Sequence, residues 1–245
     1  MAAEDNVDVI VQNTFFPNKT DGVLVEVGAA RPDYLSISAI FREKGWKILA
    51  VEPNPDFCEL HKARGYDVLE YACSDEDRDN VDFTVVDSQG VDYLGGKVSA
   101  ESISSLGIKD EFLELYSRLE GRATTKTISV TVRKLDTILA KHAPEVQSVQ
   151  LVCVDVEGWE LSVLRGFSLE KYRPDVVILE NLLHKVEYAD YMAAHGYGRW
   201  LPLGLNEIYV RNDLLTPTIR AKGALEAMRY KASLFGKRVM RKLGK

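Results

Sequence analysis

Three acids fall within six residues in the run Val154-Asp155-Val156-Glu157-Gly158-Trp159-Glu160. The run follows an apolar stretch, Val149–Val154 (VQLVCV), and leads into a segment with helical spacing, Gly158–Leu164. An acid at the exit of a buried strand lies at the mouth of a parallel sheet, where ligands of open α/β sheets bind. A second apolar run, Asp175–Leu179, ends at Glu180 and is followed by Asn181 and His184. If the two runs are neighbouring strands, Asp155, Glu157, Glu180 and His184 converge. Such a group is a candidate catalytic site, able to take a proton from a nucleophile. Alternatively, Asp155 and Glu180 hold Mg²⁺, which binds hydroxyls and lowers the pKa of one. The plainer readings are that Glu157 and Glu160 favour a helix N-terminus and that His184 lies on the surface.

A second set of residues suits a cofactor. The apolar run Val23–Val27 (VLVEV) contains Glu26 and ends in Gly28-Ala29-Ala30, and the run Lys47–Glu52 (KILAVE) ends in an acid. Glycine at a strand exit lets backbone approach a ligand closely. An acid ending the next strand accepts hydrogen bonds from ribose hydroxyls. Arg31-Pro32-Asp33 follows where a dinucleotide site needs further glycines to admit a pyrophosphate. The pattern therefore disfavours NAD and remains compatible with a nucleoside lacking phosphates, with Glu26 facing an ammonium group.

The elements that must position these residues alternate. Val23–Val27, Lys47–Glu52 and Asp67–Tyr71 read as strands, separated by helices at Leu35–Lys44 and Pro55–Arg64. That order is the signature of βαβ units and an α/β fold. Val81–Val86 and Thr127–Val132 read as strands, Asp110–Leu119 and Leu135–His142 as helices. Ser88–Ser105 is a long Gly/Ser-rich loop, of the kind used as a lid. Tyr188–His195 reads as a helix capped by Gly196, and Arg199–Pro202 and Glu207–Val210 as closing strands.

Composition bounds the partners. Apolar residues make up 46% of the 245-residue chain and charged residues 28%, ordinary for a globular protein. No run is long enough to span a membrane, and Met1–Ile10 lacks the layout of a secretory signal, so a cytoplasmic enzyme is expected. Cys58, Cys73 and Cys153 form no CxxC pair, which argues against a disulfide framework. The net charge of −6 hides an asymmetry: residues 1–217 carry −14 and residues 218–245 carry +8. The acidic body is not expected to bind nucleic acid.

Together the motifs resemble the FkbM family of S-adenosylmethionine-dependent methyltransferases. The resemblance runs from Val23 to Arg211 through VEVGA (Val25–Ala29), VEPNP (Val51–Pro55), YACSD (Tyr71–Asp75) and SISSL (Ser102–Leu106). It continues through VDVEGWELSVLRGF (Val154–Phe167), VILEN (Val177–Asn181) and NEIYVR (Asn206–Arg211). It implies a Rossmann-like class I methyltransferase fold: a mostly parallel seven-stranded sheet flanked by helices, its last strand antiparallel. It implies that Glu26, Gly28 and Ala29 line the cofactor's amino-acid end, that Glu52 binds the ribose, that Ser74 lies near the adenine and Asp155 near the sulfonium. It also implies O-methylation of a small-molecule or glycan acceptor. Arg31-Pro32-Asp33-Tyr34 departs from the family's usual glycine here. The competing readings are an NAD-dependent oxidoreductase and a non-catalytic nucleoside-binding module.

The chain then divides into a methyltransferase domain, 1–216, and a basic amphipathic tail, 217–245. Leu225, Met228, Ala232, Phe235, Val239 and Leu243 recur at helical spacing, with Lys231, Lys237, Arg238, Arg241, Lys242 and Lys245 around them. Gly236 weakens a long helix. Such a tail either meets an anionic membrane surface or an acidic partner, making the enzyme peripheral, or packs on its own domain or a second subunit of a homo-oligomer.

Overall fold

Successive residues of a strand point to opposite faces of its sheet, and the apolar runs here are covered on both. The computed structural model describes residues 3–32, 34–87, 92–93, 98–99, 104–107 and 124–242. In β1 (Val23–Val27), Leu24 faces one apolar cluster while Val25 and Val27 face another. In β8 (Leu151–Val154), Leu151 and Cys153 face the first, Val152 and Val154 the second. Helices on each side bury both faces, which is why these strands read as continuous apolar runs.

The main sheet also contains β2 (Lys47–Val51), β9 (Val176–Glu180), β10 (Tyr197–Leu203) and β11 (Asn206–Arg211), in the order β10-β11-β9-β8-β1-β2. β9, β8, β1 and β2 are parallel, while β11 is antiparallel to both its neighbours. The architecture is thus α/β and compatible with a Rossmann-like methyltransferase; the sheet is mixed, its last strand antiparallel, and among the described residues it has six strands rather than the expected seven. The segment expected as a strand at Asp67–Tyr71 is reduced to one parallel bridge, Val51 to Leu69. Exposed Asp67 and Glu70 flank half-buried Leu69, and charged positions on a sheet edge keep pairing short.

A second sheet packs beside it: β3 (Ala72–Cys73), β7 (Thr124–Arg133) and β4 (Arg78–Asp87), with β4 antiparallel to β7. Between them the loop expected at Ser88–Ser105 carries a small hairpin, β5 (Asp92–Tyr93) with β6 (Val98–Ser99). Its remainder up to 103, and the helix expected at Asp110–Leu119, lie outside the described residues.

Among the described residues the α-helices are α1 (Val7–Phe15), α2 (Ser38–Glu43), α3 (Pro55–Ala63), α4 (Leu135–His142), α5 (Glu160–Arg165), α6 (Leu169–Tyr172), α7 (Val186–Ala194) and α8 (Pro217–Lys242). Asn54 caps α3, its side chain accepting from Asp56 N at 3.1 Å. α1 is unexpected from the sequence; its Val7 and Val11 are fully buried against the sheet. α2 begins three residues later than the spacing suggests, because Leu35 adopts a left-handed conformation (φ 55°) that a helix excludes. The three cysteines are free and buried.

Candidate active site

Register brings the predicted residues together. Val154 pairs with Val27 on one side and Leu179 on the other, so Gly28, Asp155 and Glu180 leave the sheet at one edge. Gly28 has φ 78°, and a Cβ there would lie 1.8 Å from the carbonyl oxygen of Asp155. Only glycine fits, both by backbone conformation and by space. The N–H groups of Gly28 and Ala29 donate to Val51 O at 3.0 and 3.2 Å, tying this turn to the end of β2.

Two cavities open on the turn. The larger encloses about 920 Å³ of empty space, solvent at its mouth included, and the smaller about 490 Å³. Glu26, Gly28, Ala29, Asp155, Glu157 and Glu180 line the larger, with Ala30, Arg31 and the residues from Tyr34 to Ile37 along one wall. Glu52 lines the smaller, an apolar slot between Phe57, Tyr71, Phe83 and Trp159. Gly28 and Ala30 border both.

The larger cavity is strongly acidic. Asp155, Glu157 and Glu180 each present an oxygen within 4.8 Å of the others, a grouping that can hold a metal ion. Asp155 opens to the cavity, yet the protein atoms around it and the charge of Glu160 raise its pKa to about 7. Burial, reinforced by the neighbouring acids, pushes Glu157 and Glu180 well above the carboxylate range. Glu26 is raised by burial too, although its Oε1 accepts from Ser38 N at 3.1 Å. Glu26 Oε2, Glu157 Oε2 and Glu180 Oε2 are buried without hydrogen-bond partners.

Glu52 is organised differently. Its two oxygens accept from Ala30 N and Asn54 N, both at 2.8 Å. Burial nonetheless raises it to about 7. Each carboxylate oxygen keeps a second acceptor site, so the same residue can hold the turn and a ligand hydroxyl.

Other expected residues fall elsewhere. His184 is exposed at φ 51° and lines neither cavity. The preceding turn explains this: Asn181 both accepts from Lys185 N and donates to Lys185 O, closing a loop that carries His184 outward. Ser74 is buried behind the apolar slot, its hydroxyl on Asp75 and its carbonyl against Gly166. Glu160 braces the turn, Oε1 accepting from Val156 N and Gly158 N at 3.0 Å and Oε2 from the Tyr188 hydroxyl at 2.5 Å. That brace holds Glu157 at φ 54°.

Several lining residues gave no sequence signal. Ala3, Glu4 and Val7 reach the larger cavity from the N-terminal segment. His61 is fully buried on α3 with Nε2 on Ala30 O at 3.0 Å, supporting the glycine turn from beneath. Burial lowers its pKa, favouring the neutral ring. Trp159 lies within the noted VDVEGWE run; its Nε1 donates to Gly107 O at 3.2 Å, joining that run to the SISSL segment.

The family model for the methyltransferase FkbM domain matches residues 26–198, from the acid in β1 to the start of β10. No curated protein matches the chain.

Proposed function

The chain belongs to the FkbM methyltransferase family, and from that premise we propose that it transfers a methyl group from S-adenosylmethionine to a hydroxyl of a sugar or glycan acceptor. The observation that carries this reading is the charge of the larger cavity. Five carboxylates line it, Glu4 among them, and three have a buried oxygen with no partner. Unpaired buried acceptors are costly, so the cavity suits a cationic ligand and repels the pyrophosphate of a dinucleotide. S-adenosylmethionine supplies a methyl group already activated on a sulfonium and carries an ammonium besides.

The chain's residues then divide the work. Glu26 faces the ammonium, Glu52 takes the ribose hydroxyls, and the slot between Phe57 and Trp159 takes the adenine. Asp155, poised near neutral pH, accepts the proton of the acceptor hydroxyl as its oxygen attacks the methyl carbon and the carbon–sulfur bond breaks. Glu157 and Glu180 line the cavity beside Asp155 and offer their unpartnered oxygens to the ligand. Holding nucleophile and methyl in line is the larger part of catalysis for such a transfer.

Calorimetry and thermal shift with S-adenosylmethionine and with NAD test the cofactor. Binding and a raised melting temperature are expected with the first alone; the reverse pattern overturns the reading. Formation of S-adenosylhomocysteine only when a sugar acceptor is present then tests the reaction.

The spacing of Asp155, Glu157 and Glu180 within 4.8 Å favours a second reading, a Mg²⁺ ion that binds a diol and acidifies one hydroxyl. Turnover lost to a chelator and restored by Mg²⁺ selects it. Turnover indifferent to the chelator leaves Asp155 as the base.

A further inference from the structure

α8 has two apolar faces, and the domain uses only one. At about 100° per residue, Ile219, Gly223, Ala227 and Tyr230 share a face, and this face meets the sheet edge. Trp200 Nε1 donates to Ile219 O at 2.7 Å, and a Cβ on Gly223 would lie 2.6 Å from that nitrogen. Leu225, Met228, Ala232 and Phe235 lie on the opposite face. All are exposed, Met228 by 61% and Phe235 by 70%.

Charge frames the outward face. Lys222 and Arg229 flank it on one side, Arg220 and Lys231 on the other, all exposed. Glu226, the single acid beyond residue 217, sits toward the domain and pairs with Arg229. Apolar side chains out, bordered by cations, is the layout of a helix lying in a bilayer interface. The body of the protein carries −14, so this framed stripe departs sharply from the rest of the surface.

The helix also ends in a specific place. It runs alongside β10 toward the edge of the sheet that carries Asp155 and Glu180. There the Tyr230 hydroxyl donates to Asp5 Oδ2 at 3.0 Å, and the adjacent Glu4 lines the larger cavity. From Tyr230 the helix continues to Lys242, about 18 Å further at 1.5 Å per residue. Its distal part, exposed from Lys231 to Gly236, therefore extends beyond this contact.

We propose that the outward face of α8 binds an anionic lipid bilayer and sets the mouth of the cavity toward it. The apolar stripe enters the headgroup boundary, and the flanking Lys and Arg meet lipid phosphates. The inference does not depend on which reaction the cavity performs.

Cosedimentation of the full chain with vesicles tests it. Binding is expected with vesicles containing phosphatidylglycerol, weak with phosphatidylcholine alone, and diminished by salt. Lys231→Glu should weaken it on the order of fivefold per unit of charge, from the roughly 1 kcal/mol that each surface cation contributes. Met228→Glu combined with Phe235→Glu should abolish it, with the melting temperature unchanged because both side chains are exposed. No sedimentation even at low salt overturns the proposal and leaves the face to an acidic protein. Equal sedimentation of the double variant overturns it too. So does a change from dimer to monomer in the double variant, which would make the stripe a subunit interface.

Discussion

Asp155 and Glu180 each place a carboxylate oxygen within 4.8 Å of the other because β8 and β9 run parallel with Val154 paired to Leu179. The residue after each pair member leaves its strand at the same level, so two acids 25 positions apart in sequence meet at the cavity floor. Parallel pairing of these strands therefore sets the chemistry of the site.

Asp155→Asn should lower turnover by roughly 10²–10⁴-fold, the usual contribution of a positioned base. Asparagine keeps the shape and removes a charge that Glu157 and Glu180 oppose, so the melting temperature should hold or rise. Methylation at the wild-type rate would make Asp155 structural.

The acids also predict how stability follows pH. Asp155 and Glu52 titrate near 7 in the folded chain, against ordinary values of 3.8 and 4.5. Between those values the folded state binds more protons than the unfolded state, so stability falls as pH rises through the window. The ligand-free protein should melt at a higher temperature at about pH 5 than at about pH 8, and Asp155→Asn should flatten the slope. A melting temperature that rises across this range would contradict the burial of these charges.

Glu52→Ala should weaken S-adenosylmethionine binding by about 1.5–3 kcal/mol for each charged hydrogen bond lost. The variant also frees Ala30 N and Asn54 N, which Glu52 holds at 2.8 Å. Glu52→Gln, which keeps one acceptor, should fall between the two. An unchanged dissociation constant by calorimetry would remove Glu52 from the site.

Gly28→Ala should cost about 1–3 kcal/mol for the left-handed backbone alone. For a chain of this size that is roughly 2–12 °C in melting temperature. The added Cβ must also displace Asp155 backbone, 1.8 Å away, so cofactor binding should fail with it. A variant that melts and binds as wild type would mean that the turn is free to rearrange.

The sequence by itself determined the α/β class, the strand exits at Gly28, Glu52, Asp155 and Glu180, and the helix after residue 217. These are legible because apolar runs, turn glycines and acids at strand ends are local patterns. Tertiary structure decided the rest. His184, four residues past Glu180, is carried outward by the Asn181 turn, a bond pattern that spacing does not encode. Glu160, legible as an acid at a helix start, also braces the turn, because Tyr188 from another helix meets its second oxygen. α1 and His61 support the site without any motif, since burial of a lone segment or side chain depends on what folds over it. The stripe at Leu225, Met228 and Phe235 was readable as an apolar face, yet the domain packs against Gly223 and Ala227 instead. Small residues let a helix backbone approach Trp200 closely, and such closeness is decided by the shape of the surface it meets, which no single segment contains.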